Sequence, residues 1–166
     1  MRTLRLSRIA LVAGVAAFFT LVAFGNLTDY GANWQFVSHV LSMDTTFRDP
    51  ALMWRAVTDP TLQRAVYGLI IAWQGATALV MWIGVARLLR ALDAHPAEFA
   101  EARAVAIAGL TMGLLLYSVG FLVVAGEWFA MWQSETWNGQ RTAGIFVLLI
   151  GITLLHLCAS EPEWRP

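Results

Sequence analysis

The chain has 166 residues, is 58% hydrophobic, carries only 13% charged residues and has a formal net charge of zero, with a mean hydropathy of +0.62. An ordinary soluble domain carries roughly a quarter charged residues, so these values exclude one and point to a bilayer as solvent. The neutral balance leaves no electrostatic footprint for nucleic acid, and the single cysteine, Cys158, excludes an intrachain disulfide and a cysteine-based metal or iron–sulfur cage.

In chain order, the amino end carries Arg2, Arg5 and Arg8 ahead of the apolar run Ile9 to Phe24. That pattern predicts a first membrane span at about 9–25. It has a second reading as a secretory signal, with Ala23-Phe24-Gly25 as a small-residue cleavage site. The connection 26–64 is too long for a plain link between neighbouring helices. Within it, Phe36, Val37, Val40 and Leu41 recur at helical spacing opposite Gln35, Ser38, His39 and Ser42, which predicts a short amphipathic helix over Trp34 to Met43. Asp49-Pro50 and Asp59-Pro60 read as two helix starts, since Asp caps free N–H groups and Pro suits the first helical position. The first would open a short helix in "ALMWRAV", the second the next span. The connection is expected to lie on the membrane as two short helices, with Trp34, Phe36 and Trp54 in the interface.

The second span is predicted at about 66–88, the third at about 104–126 and the fourth at about 140–159. A helix needs about 20 residues to cross a bilayer core. The whole chain reads as one integral membrane domain, an all-α four-helix bundle with short interfacial helices in its first connection. Glycines recur at heptad spacing: Gly68 and Gly75 in the second span, Gly113 and Gly120 in the third (with Gly109 completing a GxxxG), Gly144 and Gly151 in the fourth. Small residues on one helix face let backbones approach, so these seven are expected at the helix contacts, and Gly113→Leu or Gly151→Leu is expected to disrupt them.

Arginine placement sets the expected orientation. Arg2, Arg5, Arg8, Arg87, Arg90, Arg103 and Arg165 outnumber Arg48, Arg55, Arg64 and Arg141 on the opposite side. Both termini are then cytoplasmic in a bacterial inner membrane, with 26–64 and 127–139 periplasmic. Five of the eight Trp residues (34, 54, 128, 132 and 137) fall on that periplasmic side. An interfacial belt accounts for many such residues. Trp is also enriched at binding hot spots, so Trp34, Trp54, Glu127, Trp128, Trp132 and Trp137 are the candidates for a partner surface. The two periplasmic connections are expected to pack together as a cap, with Glu127 or Glu135 meeting an Arg or indole donor.

"NLTDYGANWQFVSHVLSMDTTF" at 26–47, "GEWFAMWQSETWNGQ" at 126–140 and the four-span layout resemble a bacterial family of predicted small integral membrane proteins of unknown function. The resemblance covers nearly the whole chain. It implies that the first helix is retained, and it brings no set of catalytic residues.

Chemistry finds little support. His39, His95 and His156 make no bis-His pair suited to haem. Asp29, His39, Asp44, Glu127 and Glu135 match no metal-ligand spacing. No nucleophile motif or phosphate loop is present, so no catalytic residue, cofactor or metal is expected. The spans lack Asp, Glu and Arg near their middles; Gln74 is the polar residue that most needs a partner there. The leading expectation is a non-catalytic accessory or assembly subunit that docks on a larger membrane complex, such as a respiratory one, or associates with itself, with lipid as its surroundings. The alternative is a small transporter or lipophilic-ligand binder with a pocket near Gln74 and Trp73.

Overall fold

The computed structural model describes residues 1–160, and within them all regular structure is helical. Helix α1 spans Arg2–Thr28, α2 Tyr30–Ser42, α3 Pro60–Arg90, α4 Pro96–Leu115 and α5 Gln140–Cys158. A π-helical segment, Leu116–Trp128, continues α4 without a break, and single 3₁₀ turns lie at Met53–Arg55 and Met131–Gln133. Four helices are long and apolar enough to cross a membrane: α1, α3, α4 with its π segment, and α5.

Local signals explain where these helices start. Asp59 Oδ1 accepts from the backbone N–H groups of Thr61 and Leu62 at 2.7 and 3.4 Å, and Pro60 fills the first helical position of α3. His95 does the same for α4, its Nδ1 accepting from Ala97 N at 3.3 Å ahead of Pro96. Asn138 Oδ1 accepts from Gln140 N at 3.1 Å just before α5. The Asp49-Pro50 start does not open a helix. Asp49 Oδ1 takes Ala51 N at 2.9 Å in a turn, and only the 3₁₀ turn at Met53–Arg55 follows. The segment there is too short to repay helix nucleation without a packed face.

At the end of the bundle where Met1 and Ser160 lie, arginines hold the helices together. Arg5 Nη1 donates to Leu92 O and Ala94 O, just past α3, at 2.9 and 2.7 Å, with its guanidinium 4.5 Å from the Phe99 ring centre. Arg8, only 1% exposed, donates to His156 O, Ala159 O and Ser160 O at the end of α5. Arg103 Nη1 reaches Leu157 O at 2.9 Å. Helix C-termini present unpaired carbonyls and partial negative charge. Three arginines that count as topology signals in the sequence therefore also cap helices.

The glycines pack differently from expectation. A Cβ on Gly109 would come within 2.7 Å of Met81, and one on Gly113 within 2.8 Å of Phe19. Those two are true close approaches. At Gly68, Gly75, Gly144 and Gly151 a Cβ would meet nothing within 4 Å, and at Gly120 only Leu116 of its own helix, at 3.7 Å. The reason is phase. The buried heptads are Tyr67, Gln74, Met81 and Leu88 on α3 and Ala143, Ile150 and Leu157 on α5. The glycines sit one residue later, about 100° around the helix. Gly120 lies in the π segment, whose i→i+5 bonding turns less per residue and breaks the heptad register. The closest approach of a glycine to another helix's backbone is at Gly84, a residue outside the heptads, where a Cβ would lie 2.7 Å from the Ala106 backbone.

At the other end the two connections form a cap around a second apolar cluster that includes Val40, Leu41, Met43, Phe129 and Met131. Thr45 Oγ1 and Ser134 Oγ share a hydrogen bond of 2.8 Å, and Phe47 N donates to Gln133 Oε1 at 3.0 Å. Glu127 and Glu135 are exposed, and neither carboxylate makes a hydrogen bond or ion pair with a described residue. Exposure leaves them hydrated, so the expected pairing is not needed.

Candidate functional site

Beneath the cap, in the adjoining half of the bundle, lies a cavity of about 390 Å³. It is built from the residues that end α1 and begin α2. The chain breaks at Asp29 (φ −120°, ψ 60°), so α2 folds back over the bundle and brings Asn33 onto Asn26 of α1. Asn33 Nδ2 donates to Asn26 Oδ1 at 2.6 Å, and Asn26 Nδ2 donates to Gln74 Oε1 of α3 at 2.7 Å. Asn26 and Gln74 are buried, and a buried amide is tolerated because it is paired. This chain of three amides forms one polar wall. Gln74 uses one end of its amide on Asn26, and either flip leaves the other end facing the cavity. Tyr67, one heptad before Gln74, lies in the same wall; its hydroxyl is buried with no hydrogen-bond partner.

The remaining walls are mostly aromatic and aliphatic. The π segment contributes Tyr117 and Phe121, and α5 contributes Ala143 and Phe146. The Phe146 ring centre lies 4.8 Å from Tyr117 and 4.6 Å from Phe18, which closes the floor. Phe36 of α2 roofs the cavity. It packs on Gly139, where a Cβ would come within 2.9 Å of its ring, and edge-on to Trp137 at 6.3 Å. Trp137 is stacked under His39 at 4.8 Å, and His39 Nδ1 holds Asp44 Oδ2 at 2.7 Å.

The most exposed lining residues are Leu21 (69% exposed) on α1, Asn33, and Thr142 on α5. The opening therefore lies on the α1–α5 seam. These two helices are tied at the far end by Ser7 Oγ to His156 Nε2 at 3.0 Å and by Arg8. No lining residue is Asp, Glu, Arg or His. An uncharged, aromatic-walled cavity of this volume is within the range that holds small ligands, and its chemistry suits a neutral one.

Of the residues singled out from sequence, Gln74 is in this site. Trp73, its expected companion, is not: its indole N–H donates to Met112 O at 3.1 Å across the α3–α4 seam. The six residues proposed for a partner surface do not converge. Trp34 and Trp137 are half-buried inside the cap. Trp34 lies 6.3 Å from Tyr67 with the Arg64 guanidinium 5.7 Å from its ring. Trp54 and Trp128 meet edge-on at 5.5 Å with Arg55 over both rings, and Arg55 Nη1 donates to Trp128 O at 3.4 Å. Trp132 instead pairs with Phe47 at 5.9 Å. Glu127 is exposed beside Trp128 and belongs to neither pair. The sequence reading missed Asn26, Asn33, Tyr67 and Tyr117. Gln63, Tyr67 and Gln74 share a face of α3, which was a usable signal; Asn26 and Asn33 were hidden by assigning them to a loop.

Fold and site together define a small four-helix integral membrane protein with a neutral cavity between its helices. No curated protein and no solved structure matches the chain. The family model described as predicted small integral membrane protein (DUF2165) matches residues 4–160, and the chain belongs to that family.

Proposed function

We propose that this protein is a non-catalytic membrane protein that binds a neutral lipophilic ligand in the cavity between α1, α2, α3, the π segment and α5. The observation that carries the reading is the polar wall: Asn33, Asn26 and Gln74 linked in series inside a largely aromatic and aliphatic chamber. A ligand carbonyl or hydroxyl would pair with the end of the Gln74 amide that Asn26 does not use. The absence of carboxylate and imidazole from the lining supports binding rather than acid–base chemistry. The test is organic extraction of the purified protein followed by mass spectrometry, comparing wild type with Thr142→Trp, which plugs the mouth from an exposed position. We expect a neutral lipid enriched in wild type and depleted in the variant. Equal lipid content in both would overturn the reading.

A second reading, an accessory subunit docked on a larger membrane complex or on another copy of itself, is supported by the open faces at Gly68, Gly75, Gly144 and Gly151 and by exposed Trp54, Trp128 and Trp132. Loss of a stoichiometric copurifying protein on Trp132→Ala, with the bundle intact, would favour it. The arginine distribution supports a bacterial inner membrane with both termini cytoplasmic.

A further inference from the structure

A second, smaller cavity of about 100 Å³ lies against the first. The two share Phe36, Val37, Ile70 and Phe121 as walls. Between them the Phe36 and Phe121 rings are stacked, with centres 6.2 Å apart and planes 18° from parallel. Beyond that partition no lining residue is polar: the walls include Val40, Leu41, Val66, Leu116, Val124 and Phe129. The first chamber holds every hydrogen-bonding side chain, and the second holds none.

We infer that the two chambers are one site for a single-chain neutral lipid. The head, bearing a carbonyl or hydroxyl, sits against Gln74, and the chain passes the Phe36–Phe121 pair into the second chamber. The inference rests on the ligand-binding reading above and adds the ligand's architecture. Two observations on opposite sides of the partition carry it. The polar lining side chains lie only on the head side, and the continuation is a chamber lined only by hydrocarbon and aromatic groups, which favours an alkyl chain over water. The partition is two aromatic rings without a hydrogen bond, so rotation of Phe36 or Phe121 about its side-chain bonds opens it without breaking backbone structure. The π segment is what places this gate. Leu116, Gly120, Phe121, Val124 and Ala125 all face the second chamber, a spread that the i→i+5 backbone presents along one side. Gly120 gains a role in this arrangement. Its missing side chain leaves the chamber open, since a Cβ there would meet only Leu116 at an ordinary 3.7 Å.

The experiment uses the detergent-solubilised full chain and a series of monoacylglycerols graded in chain length, with bound lipid read by native mass spectrometry. Each methylene that enters the second chamber should tighten binding about fourfold, until the chamber is full and the gain stops. Gly120→Leu, and independently Val124→Phe from a partly exposed wall position, fill the second chamber only. Both should leave short-chain binding at the wild-type level and make the gain stop at a shorter chain. A wild-type length profile in both variants would overturn the inference while leaving the head site standing. Failure of every probe to bind wild type, at any length, would instead remove the ligand-binding reading and this inference with it.

Discussion

Alanine substitutions at the glycines should separate into two groups according to helix phase. At Gly84 a Cβ would lie 2.7 Å from Ala106 Cα and N and 2.8 Å from Ala106 Cβ. Carbon atoms in good contact are about 3.5–4.0 Å apart, so α3 and α4 must separate by roughly 1 Å along this seam. A radial gap of that size forfeits about a quarter to a half of each contact's dispersion well, and overpacking in rigid interiors costs about 1–3 kcal/mol. The better helix propensity of Ala returns at most about 1 kcal/mol. Gly84→Ala should therefore be net destabilising by up to about 2 kcal/mol. At Gly68, Gly75, Gly144 and Gly151 a Cβ meets nothing within 4 Å, and only the propensity gain remains. Those four variants should be neutral or more stable by up to about 1 kcal/mol. The assay is reversible denaturant unfolding in one detergent, with all five variants measured beside wild type. If Gly84→Ala proves as stable as Gly151→Ala, the α3–α4 crossing does not depend on this close approach.

Other substitutions test the remaining contacts. Arg8→Met should destabilise the bundle by about 2–4 kcal/mol, since hydrogen bonds to charged groups contribute about 1.5–3 kcal/mol each and Arg8 serves the C-terminal carbonyls of α5; an unchanged unfolding midpoint would refute the capping role. Asn26→Leu should cost about 1–3 kcal/mol by leaving Gln74 and Asn33 without their partner, and the double variant Asn26→Leu, Gln74→Leu should cost less than the sum of the two single changes. Additivity in that cycle would show that the amides act separately. A reporter that is active only in the periplasm, fused after Pro166, should stay silent; strong activity would reverse the proposed orientation.

Much of the architecture was legible in the chain because it depends on local properties. A span needs only a long apolar window, and all four appear as such. Asp59-Pro60 starts α3 where it stands because the cap involves residues within one turn. The pairing of the two loops follows from connectivity in a small bundle, and Thr45–Ser134 and Phe47–Gln133 are its contacts. The cavity was only half legible. Gln74 announced itself as an amide in a hydrocarbon span, but its partner Asn26 sits in the last turn of a helix that continues past its apolar run.

What the tertiary structure decided is the rotation of each helix about its own axis. Spacing alone cannot distinguish a heptad of glycines from the heptad beside it: Gly68 and Gly75 repeat with the same period as Tyr67 and Gln74, one residue away. Packing selected the bulkier set on both α3 and α5, because burying Tyr67, Met81, Leu88, Ile150 and Leu157 gains contacts that four glycines cannot supply. The π segment added a second shift that no residue between Leu116 and Trp128 announces, and that shift turns Tyr117 and Phe121 toward the chambers. The sequence by itself thus determined the four spans and the cap. The three-dimensional packing determined which faces meet, and with them the cavity at Asn26, Tyr67 and Gln74, since a face is a relation between helices distant in the chain.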